Sequence, residues 1–274
     1  MTGRTKDTAL SATDLRSCLS RTDKMTEKTN KTLRKLKKVI FPDKCPVCGS
    51  IKPQWFSDRM SDDRGNILCS QCKDAIKPIT EPLCKKCGRS LEDEAEEYCG
   101  DCLKFEHVFA EGRSLYEYDG EMKALMYRFK YSNRRDLAEF FVGNMGEESR
   151  KWLLSKSIDA VVPIPLHPDK LKKRGYNQSY VFAKELADVF GLKMESGFLV
   201  RDRYTDPQKG LSRQERINNL KNAFILGQSG VKSNKMNILL VDDIYTTGAT
   251  VDAAASVLED AANVYFLCIC NGRR

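Results

Sequence analysis

The chain has no apolar run near the ~18 residues that a membrane-crossing helix needs, and pieces such as 238–241 fall far short. Its polar N-terminus lacks the apolar stretch of a secretory signal, so a cytoplasmic protein is expected. No helix-turn-helix pattern is evident, which argues against a regulator that reads DNA through such a helix. No Cys–His or Ser–His pair stands out as nucleophile and base. What the 274 residues do hold is 41% hydrophobic and 9% aromatic side chains, enough for a core, which excludes a wholly disordered chain. At roughly 100–200 residues per domain, that length accommodates one large domain, alone or with a small one.

The net charge of +8 is uneven. Residues 1–44 carry a balance of +7, residues 45–102 one of −3, and residues 103–274 one of +4. The overall basicity therefore says little about the folded body. Residues 1–31 have the composition of a disordered basic leader, with Met25 as an alternative start. Residues 32–44 read as a short amphipathic basic helix, with apolar Leu33, Leu36 and Ile40 on one side and Pro42 as its stop. That helix either packs on the body with a solvated basic face or touches nucleic acid or a membrane surface.

Eight of the eleven cysteines form four Cys-x-x-Cys pairs: Cys45/Cys48, Cys69/Cys72, Cys84/Cys87 and Cys99/Cys102, with gaps of 20, 11 and 11 residues. Two thiolates on one tight turn can face one ion, and two such turns complete a closed tetrahedral site suited to structural Zn²⁺. Joining neighbours makes residues 45–106 a double zinc ribbon with two zinc sites. A cross-braced pairing, first with third and second with fourth, stays open, because spacing alone does not settle it. Disulfides do not suit a reducing compartment. A segment this small would draw most of its folding energy from the metal. Cys18, Cys268 and Cys270 read as non-ligands, and His107 as a packing or surface histidine.

From about residue 107 to 274, short β-branched runs alternate with amphipathic stretches, which argues an α/β fold with a mainly parallel sheet flanked by helices. Strands are expected at 110–118, 158–162, 198–200, 223–226, 238–241 and 264–269, and helices at 121–130, 136–145, 178–190 and 249–260. A basic loop is expected at 170–174. The most informative stretch is Ile238-Leu239-Leu240-Val241-Asp242-Asp243-Ile244-Tyr245-Thr246-Thr247-Gly248-Ala249-Thr250. In an open parallel sheet, ligands sit at the carboxyl ends of strands, where this loop would lie. Backbone N–H groups of the turn, the start of the helix and three threonine hydroxyls would cradle a phosphate. The two acids would be repelled by that phosphate, and suit vicinal ribose hydroxyls with Mg²⁺ nearby.

This thirteen-residue run resembles the PRPP-binding motif of type I phosphoribosyltransferases. The resemblance implies that Asp242 and Asp243 hold the ribose 2′ and 3′ hydroxyls. It implies that Thr246, Thr247, Gly248, Ala249 and Thr250 bind the 5′-phosphate. A second segment, Val161-Val162-Pro163-Ile164-Pro165-Leu166-His167-Pro168 followed by Leu171-Lys172-Lys173-Arg174-Gly175-Tyr176-Asn177-Gln178-Ser179, resembles the competence protein F (ComF) family. With the cysteine pairs upstream, the likeness spans about residues 36–272. Lys172, Arg174 and Gly175 would then meet pyrophosphate, a polyanion suited to a cationic segment. Solvated surface lysines are the plainer reading of the lysines. The turn-rich stretch 201–211 with Arg213 falls where phosphoribosyltransferases keep a flap, so Lys209 and Arg213 would close on pyrophosphate. An ordinary surface hairpin is the competing reading.

The resemblance implies an enzyme that transfers the 5-phosphoribosyl group of PRPP, with Mg²⁺, to an acceptor and releases pyrophosphate. No residue pattern identifies the acceptor. It also implies a place in DNA uptake during natural competence. Partners would then be single-stranded DNA, a competence ATPase and recombination mediator proteins. An alternative of another class is a non-catalytic assembly module that binds single-stranded DNA or protein. Its PRPP pocket, or one for another phosphorylated ribose, would be a sensor or a remnant.

Overall fold

The computed structural model describes residues 44–51, 67–202, 220, 222–227, 236–260 and 262–272. The leader, nearly all of the 32–44 helix, and the expected flap from residue 203 onward, Lys209 and Arg213 included, lie outside the described residues. Two short helices belong to the cysteine-rich part: α1 (Ser70–Ala75) and α2 (Gly100–Lys104). The α/β part follows as β1 (Glu111–Glu117), α3 (Gly120–Tyr131), α4 (Leu137–Gly143), α5 (Glu147–Ser155), β2 (Ala160–Pro163), α6 (Pro168–Arg174) and α7 (Gln178–Phe190). Then come β3 (Leu199–Arg201), β4 (Phe224–Leu226), β5 (Met236–Tyr245), α8 (Ala249–Ala255) and β6 (Ala262–Asn271).

Four strands form one sheet in the order β1-β6-β5-β2, every pair parallel, as the apolar β-branched runs predict. Alternation along the strands sends side chains to two faces. Val161, Leu239, Val241, Leu267 and Ile269 pack with α3, α4, α5 and α7. Ala160, Val162, Ile238, Leu240, Val264 and Phe266 pack with α8, Leu199 and Phe224. A separate antiparallel pair, β3 with β4, completes that second layer.

Both outer strands are covered. Pro78 bridges Tyr116 and the Ile79 amide donates to Leu115 O (2.8 Å), so the stretch between the second and third cysteine pairs runs along β1. At the other edge Val161 exchanges backbone bonds with Lys193 and Glu195. This blunting removes bare donors and acceptors that would otherwise template another chain.

Several local expectations need correction. The basic stretch 170–174 is helix α6, not a loop: His167 caps it by accepting from the Asp169 amide, Pro168 begins it, and Gly175 ends it in the left-handed region. The last helix is shorter than expected, Ala249–Ala255, because the chain leaves α-helix at Ser256 for turns through Asp260. Helix α5 was not anticipated. Its signal is Gly146 followed by acids Glu147 and Glu148 in the first turn and buried Trp152 and Leu153 on one side. Strand β5 runs on to Tyr245, so the paired acids lie within it rather than after it.

Candidate functional site

The four cysteine pairs gather as neighbours. Cys45, Cys48, Cys69 and Cys72 form one group, and Cys84, Cys87, Cys99 and Cys102 another, all sulfur atoms of a group lying within 4.8 Å of one another. This settles the pairing against the cross-braced alternative. Cys48 and Cys69 sulfurs are 3.6 Å apart, and Cys87 and Cys99 sulfurs 3.7 Å. A tetrahedron with metal–sulfur bonds of about 2.3 Å has edges of about 3.8 Å, so both groups fit Zn²⁺. Such a metal would hold each pair of turns together and supply folding energy. The first group shares the α3–α5 core through Cys45 and Cys72, while Cys48 is exposed. The second is embedded in the other core, with Cys84, Cys87 and Cys99 buried. Cys268 and Cys270 are buried in β6, and burial pushes both thiols well up from their ordinary pKa.

At the carboxyl end of β5, Asp242 and Asp243 reach toward α7 and α3. Ser179 Oγ donates to Asp242 Oδ1 at 2.9 Å, and the Asp243 amide donates to the same oxygen at 2.8 Å. Lys130 Nζ lies 3.0 Å from Asp243 Oδ2, both side chains largely buried. Burial, reinforced by the neighbouring Asp243 charge, pushes the Asp242 carboxyl up to about 7. Burial works against the Lys130 charge, but Asp243 outweighs it and holds that pKa above the ordinary lysine value.

Arg174 joins the same cluster. Its guanidinium donates to Gln178 Oε1 (3.0 Å) and lies 5.2 Å over the Tyr131 ring, and Gln178 Nε2 reaches Lys130 O (3.4 Å). Asn177 caps α7 by accepting from the Ser179 amide and donates to Ile164 O, tying the helix start to the exit of β2. Thus one end of the sheet collects two acids, Lys130, Ser179 and Arg174. Gly175 ends α6 beside Arg174, whereas Lys172 and Lys173 are exposed on α6. Lys209 and Arg213 lie outside the described residues.

The 246–250 turn follows directly. Gly248 has φ +80°, and a β-carbon there would come within 2.8 Å of Tyr245 Oη and 2.9 Å of the His107 ring. Thr247, Gly248 and Ala249 are buried, Thr246 is exposed, and Thr250 is half-buried. The Thr247 hydroxyl accepts from the Ala249 amide at 3.4 Å. The His107 side chain is wholly buried and reaches Asp252 Oδ2 through Nδ1 (2.8 Å), while the Val108 amide donates to Asp252 Oδ1. Arg89, two residues beyond Cys87, donates to the Thr246 carbonyl (3.0 Å) and pairs with Asp101 (3.2 Å).

Sequence reasoning missed Lys130, Arg89 and the role of His107. No local pattern marks Lys130, which only the path of α3 brings to Asp243. Ser179 stood in the quoted motif without a role.

Residues 36–103 match the double zinc ribbon domain family. The chain is similar to competence protein F of Haemophilus influenzae, with 32% identity over 214 residues, 74% of this chain and 92% of that protein. It is also similar to competence protein ComFC of Streptococcus pneumoniae, at 33% over 229 residues, 80% of this chain and 94% of that one. The chain belongs to the competence protein F family. Another relative is the DNA utilization protein YhgH of Salmonella typhimurium, at 30% identity over 208 residues, 74% of this chain and 89% of its own. At 208–229 aligned residues, the likeness to these relatives is much longer than the ribbon match over residues 36–103. Among the described residues no helix is long and apolar enough to cross a membrane.

Proposed function

We propose that this ComF-family protein binds PRPP, as its Mg²⁺ complex, at Asp242, Asp243 and the 246–250 turn, and acts in DNA uptake. The carrying observation is the pair of acids at the end of a parallel strand beside a turn whose Thr247 and Gly248 amides donate to no group among the described residues. Unpaired amides in a turn suit phosphate oxygens, and acids accept from ribose hydroxyls. Thr246, Ala249 and Thr250 complete the turn. Arg174, with Lys172 and Gly175 of the same stretch, would meet pyrophosphate, as would Lys209 and Arg213. Mg²⁺ bound with PRPP would neutralise charge on the departing pyrophosphate, and the acids supply the hard oxygen donors such an ion prefers.

In the transfer, the bond from ribose C1 to pyrophosphate breaks and its electron pair leaves on pyrophosphate. A lone pair of the acceptor forms the new bond to C1, and the acceptor's proton is released to water. Such chemistry requires a held phosphate and a neutralised leaving group more than a protein nucleophile. The relatives' names, competence and DNA utilization, support the place in DNA uptake. Calorimetry with PRPP and Mg²⁺ tests the reading. Saturable binding to the wild type that Asp242→Asn/Asp243→Asn abolishes is expected, and no binding to a folded, zinc-loaded wild type would overturn it.

A second reading, a single-stranded DNA-binding module of the uptake machinery, is favoured by one surface. Tyr127 and Tyr131 are 63% and 56% exposed with ring centroids 5.1 Å apart, and Arg174, Lys172 and Lys173 lie on the neighbouring α6. Exposed aromatics beside cations are the elements of a base-stacking platform. Tyr127→Ala/Tyr131→Ala should then weaken single-stranded DNA binding by about 1–3 kcal/mol per base lost, whether or not the acids are intact. Undiminished binding by that double variant would exclude this surface.

A further inference from the structure

We propose that Arg89 is the positioning residue of the 246–250 turn, and that through it the second four-cysteine site sets whether the turn is shaped to receive phosphate. The inference rests on the turn being the phosphate site proposed above.

Arg89 follows the Cys84/Cys87 turn, and its partner Asp101 lies between Cys99 and Cys102. The ion pair thus joins one residue from each half of the same cysteine group. Whatever brings the halves together also aims Arg89. A fork with several donors can hold the Asp101 carboxylate with Nη1 and the Thr246 carbonyl with Nη2 at once.

The consequence for the turn is geometric. A trans peptide carries its C=O and the next N–H on opposite sides. With the Thr246 carbonyl turned to Arg89, the Thr247 N–H is directed away from it. That amide, like that of Gly248, donates to nothing among the described residues. Releasing the carbonyl frees the peptide plane to rotate, which would replace a donor by a carbonyl dipole of the wrong sign for an anion.

The same cysteine-rich segment supports the turn from beneath. His107, five residues after Cys102, fills the space a side chain at position 248 would need and bonds Asp252. The first cysteine group belongs to the opposite core, with no comparable contact to the turn among the described residues. Loss of metal from the second group, and not the first, should therefore loosen the turn.

The experiment uses the full-length, zinc-loaded protein and reads hydrogen exchange of peptides covering 244–252, zinc content, and calorimetry with PRPP and Mg²⁺. Arg89→Ala is expected to speed exchange of the turn about tenfold or more while two zinc ions and the protection of 238–241 persist. PRPP affinity should fall about tenfold. Arg89→Lys should fall between, since one ammonium holds the two partners poorly, and Asp101→Asn should loosen the turn with Arg89 present. Cys99→Ser should reproduce the loosening with loss of one zinc ion, whereas Cys48→Ser should lose one zinc ion and leave the turn protected. If Cys99→Ser also strips protection from 238–241, the Arg89 and Asp101 variants decide. Unchanged turn exchange in Arg89→Ala with both zinc ions retained would overturn the inference. Failure of the wild type to bind PRPP would instead sink the ligand assignment, while the exchange measurements still report whether Arg89 holds the turn.

Discussion

Asp242 sits where two demands conflict. Its carboxyl is buried beside another acid, so the folded chain keeps its proton to about pH 7, whereas an unfolded chain releases it near about 3.9. Between those values the folded state binds more protons than the unfolded one. Stability therefore falls as pH rises from about 4 to about 7, and this loss is complete above that window. Asp242→Asn should flatten this part of the pH–stability curve. It should also raise the melting temperature at pH 8 by about 3 °C or more, measured against wild type by scanning calorimetry. Ligand binding should move the other way. A carboxylate accepts hydroxyl protons better than a carboxylic acid, so wild-type affinity for PRPP should strengthen as pH passes 7. The identity of this residue was legible, because two acids between an apolar run and a small turn form a local pattern. Its neutralising surroundings were not legible, since Lys130 and Ser179 come from helices 112 and 63 residues away in the chain.

Among elements, the 246–250 turn shows most clearly what a fold adds to a motif. Its small residues were readable from sequence, but the reason for glycine at 248 lies outside the turn. A side chain there would sit on backbone already in the left-handed region and meet Tyr245 Oη and the His107 ring. Gly248→Ala should cost about 1–3 kcal/mol in chemical denaturation. It should also weaken phosphate-ligand binding more than it lowers stability, because the turn can yield where the sheet cannot. Strands β5 and β6 and helix α7 were evident from their apolar patterns. Helix α6 was not, because its four basic residues mask a cap, a proline and a terminal glycine that act by geometry rather than by polarity. The consequence is that Lys172 and Lys173 ride on a short rigid element instead of a loop.

At the scale of the molecule, the two cysteine groups are unequal. One has an exposed sulfur ligand at its rim, while the other has three buried cysteines inside the core that holds Phe266 and Leu240. A chelator should therefore remove zinc in two phases, one equivalent quickly and the second only with loss of structure, followed by a colorimetric zinc indicator beside circular dichroism. A single phase with both ions released together would contradict this asymmetry. The four ligand pairs were readable from spacing, because metal ligation imposes a local rule, but which pairs share a site was not. The insertion of the two groups into opposite faces of the sheet was not readable either, since it depends on contacts such as that of Gly88, whose added β-carbon would lie 2.5 Å from Gly112 O.

The segment beside β1 has a practical reach. Pro78 and Ile79 occupy the hydrogen-bonding side of that strand. A shortened chain beginning at residue 107 would present β1 bare, with apolar Leu115 and Tyr116 stripped of their cover. Such a fragment should be recovered in inclusion bodies, and the small cysteine-rich half would thereby act as an internal solubility partner for the half that carries the acids.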